Sequence, residues 1–449
     1  MFYYVKVFLN VFKVNEYWFN VAQFLYMIWN ALNDPLFGYL QDVGGTWMKS
    51  RSKIFTWVGP PLSLSFLVLW FPWGDENSPP WVEGLHLIVA LFLYDAFFSC
   101  VGVAWGALYT ESTRDHRKRV KALKYSQLAV LCSVNVIVIA EKVSHSLDNF
   151  VNFQILCGII SGISCVCFYL TGKLSSVDPS LAKEKLIESE KEQNHSLASV
   201  LNLTKELLGA QDLQLIVLTN FIHTCRSVAH LNFASIAVEL IIPQSVLAKG
   251  SWQLSAFFAI STLLPQILVI ANEKLIVRNG AYHVMLFSFF CSVLSGCLYT
   301  LSWSPYVVLF FMIIDSITVH STAPLFNIFL AEFIEDDALR NSRRTTLSSV
   351  VFSLNALIIK PASSVAPVVI VYLLNRSGYE IYQHNKEKTA ALSLCMLRIY
   401  QHNKEKTAAL SLCMLRVIFA IPMFLGAIQL AIFRRYSIRH HQCNPTLPI

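Results

Sequence analysis

The run from Trp29 to Gly38, WNALNDPLFG, sets one carboxylate and two carboxamides inside an apolar stretch reaching from Tyr17 to Leu40. A stretch of that length crosses a bilayer as a helix. An ionisable group at such depth is costly unless it faces a partner or a watery cavity, which makes Asp34 the first functional candidate. Asn30, Asn33 and Asp34 stand at i, i+3 and i+4 and share one helix face. Pro35 has no N–H and its ring crowds the preceding turn, so the carbonyl of Ala31 is predicted to lose its usual partner. One charged and several neutral oxygens within a turn suit a hard monovalent cation or an exchangeable proton better than a soft metal.

Further ionisable groups lie inside apolar runs: Asp95, Arg226, Asp315 and Lys360, with His223, His230 and His320. Asp95, in LFLYDAFF, is expected to fix helix packing before it serves a solute. His223, Arg226 and His230 fall at i, i+3 and i+7 on one stripe, which is expected to line a path through the bundle; anchoring of a neighbouring backbone by Arg226 is the alternative. Asp315 and His320 are five apart, share a face poorly and read as packing residues. Lys360 sits in SLNALIIKPASSVAP beside a proline and small residues, and its ammonium needs an anion. GxSxG, HExxH and phosphate-loop patterns are absent from the sequence, so no enzyme, cofactor or metal chemistry is read from it.

The elements that carry these groups follow from composition. Of 449 residues, 55% are hydrophobic and 14% charged, and the mean hydropathy is +0.51. Soluble domains carry about 25% charged residues, so the chain reads as an all-α polytopic membrane protein. The eleven cysteines, without CxxC pairs, read as small buried hydrophobes. Apolar runs at 17–41, 54–73, 83–109, 125–141 and 151–172 form the first half. Residues 1–12 are apolar but too short to span, since roughly 20 residues are needed, and read as a truncated first helix. Residues 173–211, rich in Lys, Glu and Ser, read as a solvated linker with a short helix near 197–209. Runs at 213–242, 252–272, 281–302, 304–332, 347–374 and 407–433 form the second half, followed by a tail at 434–449.

The loop 110–124 carries Arg114, Arg117, Lys118, Arg119, Lys121 and Lys124, and loops 74–82 and 302–304 carry no basic residue. The basic side is expected to be cytoplasmic, which puts the linker and both termini inside. The segment IYQHNKEKTAALSLCMLR occupies 381–398 and recurs unchanged at 399–416; solenoid repeats drift, so this reads as a copied coding segment inserted in the loop before the last helix. Asn375 opens a glycosylation sequon on that loop, while the sequons at Asn194 and Asn202 fall in the linker and are expected to stay unused.

WNALNDPLFGYLQD resembles the second-helix signature of the glycoside-pentoside-hexuronide cation symporters, the melibiose-carrier branch of the major facilitator superfamily. WGALYTESTRDHRKR is similar to that family's end of helix four and its basic loop, and SLNALIIKPASSVAP to its helix eleven with a cavity lysine. The resemblance implies a six-plus-six bundle with the first helix truncated, a cation site at Asn30, Asn33 and Asp34, and a substrate cavity reached by Trp105 and Lys360, with Arg226 added from its stripe. It also implies that Lys360 pairs with Asp34 and competes with the coupling ion. Asn30 stands where the family has a second aspartate, and Val101 where it has a sugar-binding one, which argues against disaccharides. The implied function is cation- or proton-coupled transport of a small organic solute, by a monomer in the plasma membrane without nucleic-acid partners. The alternatives are a transport-inactive scaffold or surface protein, and a lysolipid-type carrier.

Overall fold

The computed structural model describes residues 4, 7–43, 47–74, 78–144, 149–175, 197–248, 251–297, 304–343, 347–362, 365–366, 369–370, 415 and 418–438. The duplicated segments apart from Leu415, the sequons at Asn375 and Asn194, and most of the linker lie outside them. Among the described residues every regular element is helical. The helices are α1 Glu16–Asp42, α2 Arg51–Trp57, α3 Gly59–Val68, α4 Pro80–Glu111, α5 His116–Ser144, α6 Phe150–Leu174 and α7 Leu197–Gly209. They continue as α8 Gln211–Ile241, α9 Trp252–Ala271, α10 Glu273–Gly296, α11 Pro305–His320, α12 Phe326–Arg340, α13 Ser348–Ile359 and α14 Ile418–Phe433.

By length and composition α4, α6, α9 and the run Pro305–Arg340 can each cross a membrane. Helices α1, α5, α8 and α10 are 24 to 31 residues long but carry the ionisable groups that dilute their apolar character. On α6, Val151, Ile155, Ile159 and Ile163 recur every fourth residue, and all are exposed. An apolar stripe turned outward is stable in acyl chains, where it loses nothing by leaving the protein interior.

Three expectations are corrected. The run 54–73 is not one helix: α2 stops at Trp57 and α3 restarts at Gly59, because Pro60 and Pro61 carry no N–H to continue the ladder. The basic stretch 110–124 is mostly helix, since α5 begins at His116; Asp115 Oδ1 accepts from the Arg117 N–H at 2.9 Å and caps a run of strong helix formers. Lys360 is not inside a continuous helix, because α13 ends at Ile359 and Lys360 lies in a turn before Pro361. The helix resumes with the Val365 N–H donating to the Pro361 carbonyl at 2.9 Å.

The chain groups into two compact units. Unit 1 holds Met1–Ala122, Leu128–Ala210 and Leu330–Leu357; unit 2 holds Leu123–Gln127, Gln211–Phe329 and Ile358–Ile449. In unit 1 the π-helical turn Val7–Val11 buries Val7 and Phe8 against Trp70, Leu87 and Leu91. In unit 2 the core gathers Phe257, Phe311, Met312 and Phe419. Helix α10 kinks at Gly280, whose φ of 77° is open to glycine at little cost.

Candidate functional site

In unit 1, α1 runs unbroken through Pro35 and presents Asn33, 0% exposed, and Asp34, 3% exposed, to the protein interior; Asn30 is half-buried. Asn33 Nδ2 donates to Asp95 Oδ2 on α4, and the Tyr26 hydroxyl donates to Asp95 Oδ1 at 3.4 Å. Asp95 is 5% exposed. A helix pair so placed brings Asp95, expected from sequence to fix packing, beside Asn33. The Trp29 and Phe92 rings stack at 5.4 Å one turn away and fix the rotation of α1 on α4. Trp105 lies on the same helix as Asp95, is 38% exposed, and stacks on Tyr109 at 5.9 Å. Val101, one turn earlier, is packed with Ile54, Phe55 and Ala104.

A second group of charges lies at the ends of α1, α2 and α4. Arg51 Nη2 bonds Asp42 Oδ1 and reaches Glu111 Oε1 at 3.0 Å, while Nη1 donates to the Gln41 carbonyl at 2.9 Å. Burial disfavours the Arg51 cation, but Glu111 and Asp42 outweigh it and hold its pKa above the ordinary arginine value. Asp42 Oδ2 also accepts from the Val350 N–H at 2.8 Å, satisfying an orphan donor in the first turn of α13 and meeting its positive dipole end. Ser349 donates to Gln41 Oε1 at 3.3 Å. The seat of α13 is set by glycine. A Cβ on Gly38 would stand 2.1 Å from Ser353 Oγ, and one on Gly106 would stand 2.6 Å from the Phe352 ring. Nearby, Arg119, 1% exposed, is held by both oxygens of Glu335 on α12. In the sequence Arg119 reads only as a loop charge, and Arg51 stands just outside an apolar run. Their signal in sequence was faint: acidic residues at the helix ends facing them.

In unit 2, Arg226 is 2% exposed and bonds side chains rather than the neighbouring backbone. Its Nη1 donates to Gln429 Oε1 at 3.0 Å, and its Nη2 to Asp315 Oδ1 at 2.9 Å and Ser292 Oγ at 2.5 Å. His230 Nδ1 meets Asp315 Oδ2 at 3.1 Å, and His223 Nε2 donates to the Val319 carbonyl at 2.8 Å. Asp315 and His320, poorly aligned along α11, nonetheless both face α8: His320 Nδ1 is 3.4 Å from Ser227 Oγ. A cavity of about 50 Å³ lies beside Arg226, His230 and Asp315, walled by Phe311, Met312 and Ile418. Lys360 belongs to this unit and is half-buried. Among the described residues no three His, Cys, Asp or Glu side chains gather closely enough to hold a metal ion.

Comparison with known proteins agrees with this architecture. The profile of the MFS/sugar transport protein family matches residues 1–440. Transmembrane protein 180 of Gallus gallus is 25% identical over 412 residues, covering 85% of this chain and 78% of that protein. The fucose:proton symporter FucP of E. coli superposes with a TM-score of 0.60 at 11% identity, over 95% of this chain and 94% of that one. A bacterial homologue of the iron transporter ferroportin, in its outward-facing state, gives 0.62 at 12%, over 96% and 93%. At such identity these two structures speak for the major facilitator fold alone.

Proposed function

This chain belongs to the MFS/sugar transport protein family and is an integral membrane protein, and we propose that it is a secondary transporter moving a small organic solute by alternating access, coupled to a proton or a monovalent cation. The observation that carries the proposal is the buried pair of elements at α1 and α4. Asp34 is sequestered in an apolar helix, and its neighbour Asn33 is fixed on Asp95. An intramembrane carboxylate on one helix, with a second on the helix packed against it, offers a place where a cation can be exchanged. In this reading Asp34 takes the coupling ion, with Asn30 and Asn33 supplying neutral oxygens, and Asp95 replaces the charge that Asn30 lacks. Within unit 1, Trp105 faces the solute. The Asp42 and Arg51 contacts that seat α13 act as a latch that must open and reform. The plasma membrane is the proposed location, and a monomer the working unit.

The test is uptake by the purified chain in liposomes under an imposed pH or sodium gradient, with labelled monosaccharides and other small organic solutes as probes. Asp34→Asn is expected to abolish gradient-driven accumulation while leaving the protein folded. Accumulation that survives the substitution would sink the role of Asp34.

A second reading is favoured by Val101. Buried among apolar side chains, it offers no acceptor to sugar hydroxyls. A lysolipid-type carrier, or a scaffold without transport, fits that feature, and spin-labelled lysolipid movement in the same liposomes separates them.

A further inference from the structure

The geometry points to a proton-binding centre in unit 2, in which His230 is the acceptor, Asp315 its holder and Arg226 the fixed counter-charge. Each oxygen of Asp315 faces a different nitrogen base: Oδ1 takes Arg226 Nη2 at 2.9 Å, and Oδ2 takes His230 Nδ1 at 3.1 Å. Three side chains that are 1%, 6% and 9% exposed (Arg226, Asp315 and His230) share these contacts. With a neutral imidazole the three groups sum to zero charge, which is the form an apolar bundle tolerates. The carboxylate fixes the hydrogen of the neutral ring on Nδ1 and leaves the Nε2 lone pair as the seat for an added proton. When that proton binds, no covalent bond in the protein breaks; the ring becomes an imidazolium, and its contact with Oδ2 becomes a charge-assisted one.

A purely structural pair would need only Arg226 and Asp315. Three further observations go beyond it. The acceptor is a histidine, the side chain whose ordinary titration falls between about pH 5 and 8. Its site adjoins the cavity of about 50 Å³, which has room for water, since a single water needs roughly 10–15 Å³. A second imidazole stands next to it: the His320 ring centroid is 5.5 Å away at 72°, and His320 Nε2 is buried with no hydrogen-bond partner. Among the described residues the charged and titratable groups facing His230 are Arg226 on its own helix and Asp315 and His320 on α11. The other described walls of the cavity are apolar. Chains of Asp and His inside membrane helices serve as proton relays. The centre belongs to a different compact unit from Asp34 and requires no solute to be tested.

The experiment uses the full chain in lipid nanodiscs, with imidazole nitrogens labelled with ¹⁵N and observed by NMR between about pH 5 and 8. A resonance pair that disappears in His230→Gln is assigned to His230. It is expected to move from the neutral to the imidazolium pattern as pH falls, and to persist in His223→Gln. A His230 signal that stays in one protonation state across the range overturns the proposal. Should the His230 variant misfold, the resonance is assigned instead by the ring-current shift that His320→Gln imposes on its neighbour, and the same criterion applies. Titration at His230 in a chain that accumulates no solute would defeat the transport reading and leave this one standing; transport with a silent His230 would do the reverse.

Discussion

Arg51→Gln is expected to be the costliest single change at the ends of α1, α2 and α4, and the structure sets its size. The guanidinium is 2% exposed and bonds two carboxylates and a carbonyl, so the three charged groups sum to one negative charge. Removing it leaves two carboxylates without their buried cation, and breaking such a pair from one side costs about 3–5 kcal/mol. Glu111→Gln is the informative contrast. It keeps the side-chain shape and an acceptor oxygen, and it leaves Arg51 paired one to one with Asp42, so its loss is nearer the about 0.5–1.5 kcal/mol of one hydrogen bond. The two variants should therefore differ by at least about 1.5 kcal/mol, roughly 10-fold in the unfolding equilibrium. The double variant leaves one lone carboxylate and should cost less than Arg51→Gln by itself. Because the folded pKa of Arg51 is raised, its contribution is complete below the ordinary arginine value and is lost only as pH climbs from there through the higher folded value. The Arg51→Gln penalty should thus hold steady between about pH 7 and pH 10. The assay is unfolding of the purified chain by increasing SDS fraction, followed by far-ultraviolet circular dichroism. Equal losses for Arg51→Gln and Glu111→Gln, or a penalty that vanishes by the upper pH, would refute the charge count.

Other expectations follow from the same contacts. Gly38→Ala should push α13 from its seat, because the new Cβ meets Ser353 Oγ and lies 2.8 Å from the Ser349 carbonyl oxygen; a loss of about 1–3 kcal/mol is expected by SDS unfolding, whereas Gly158→Ala, which meets nothing within 4 Å, should be neutral or stabilising. Asp95→Asn should weaken the coupling cation about 10-fold, read from uptake against cation concentration, since Asn33 then loses its anionic acceptor; an unchanged cation dependence would return Asp95 to packing. Asp212→Ala removes both acceptors of Ser437, whose N–H and hydroxyl each donate at 2.8 Å; proteolysis should then cut after α14 faster than in the parent, and an equal rate would show the clasp to be idle.

Much of the architecture was legible from local composition. Helix α7 occupies 197–209, where a short helix is expected within the linker, and α8 and α9 begin and end within two residues of the apolar runs expected there. The reason is physical: an apolar helix long enough to span hydrocarbon must announce itself residue by residue, and so must an ionisable group embedded in one, because each bears its cost locally. That is why Asp34, Asp95, Arg226 and His230 stand out in the sequence itself. Partnerships were another matter. Asp315 meets Arg226 across 89 positions, Asn33 meets Asp95 across 62, and Arg119, to all appearances a loop charge, is buried on Glu335 across 216. Which face of one helix meets which face of another depends on rotation, register and the close approaches that Gly38 and Gly106 permit, and the sequence does not write these in any single stretch. The sequence alone determined that charges are held within apolar helices; tertiary structure decided which of them hold one another, because pairing energy depends on distances that exist only once the helices have packed.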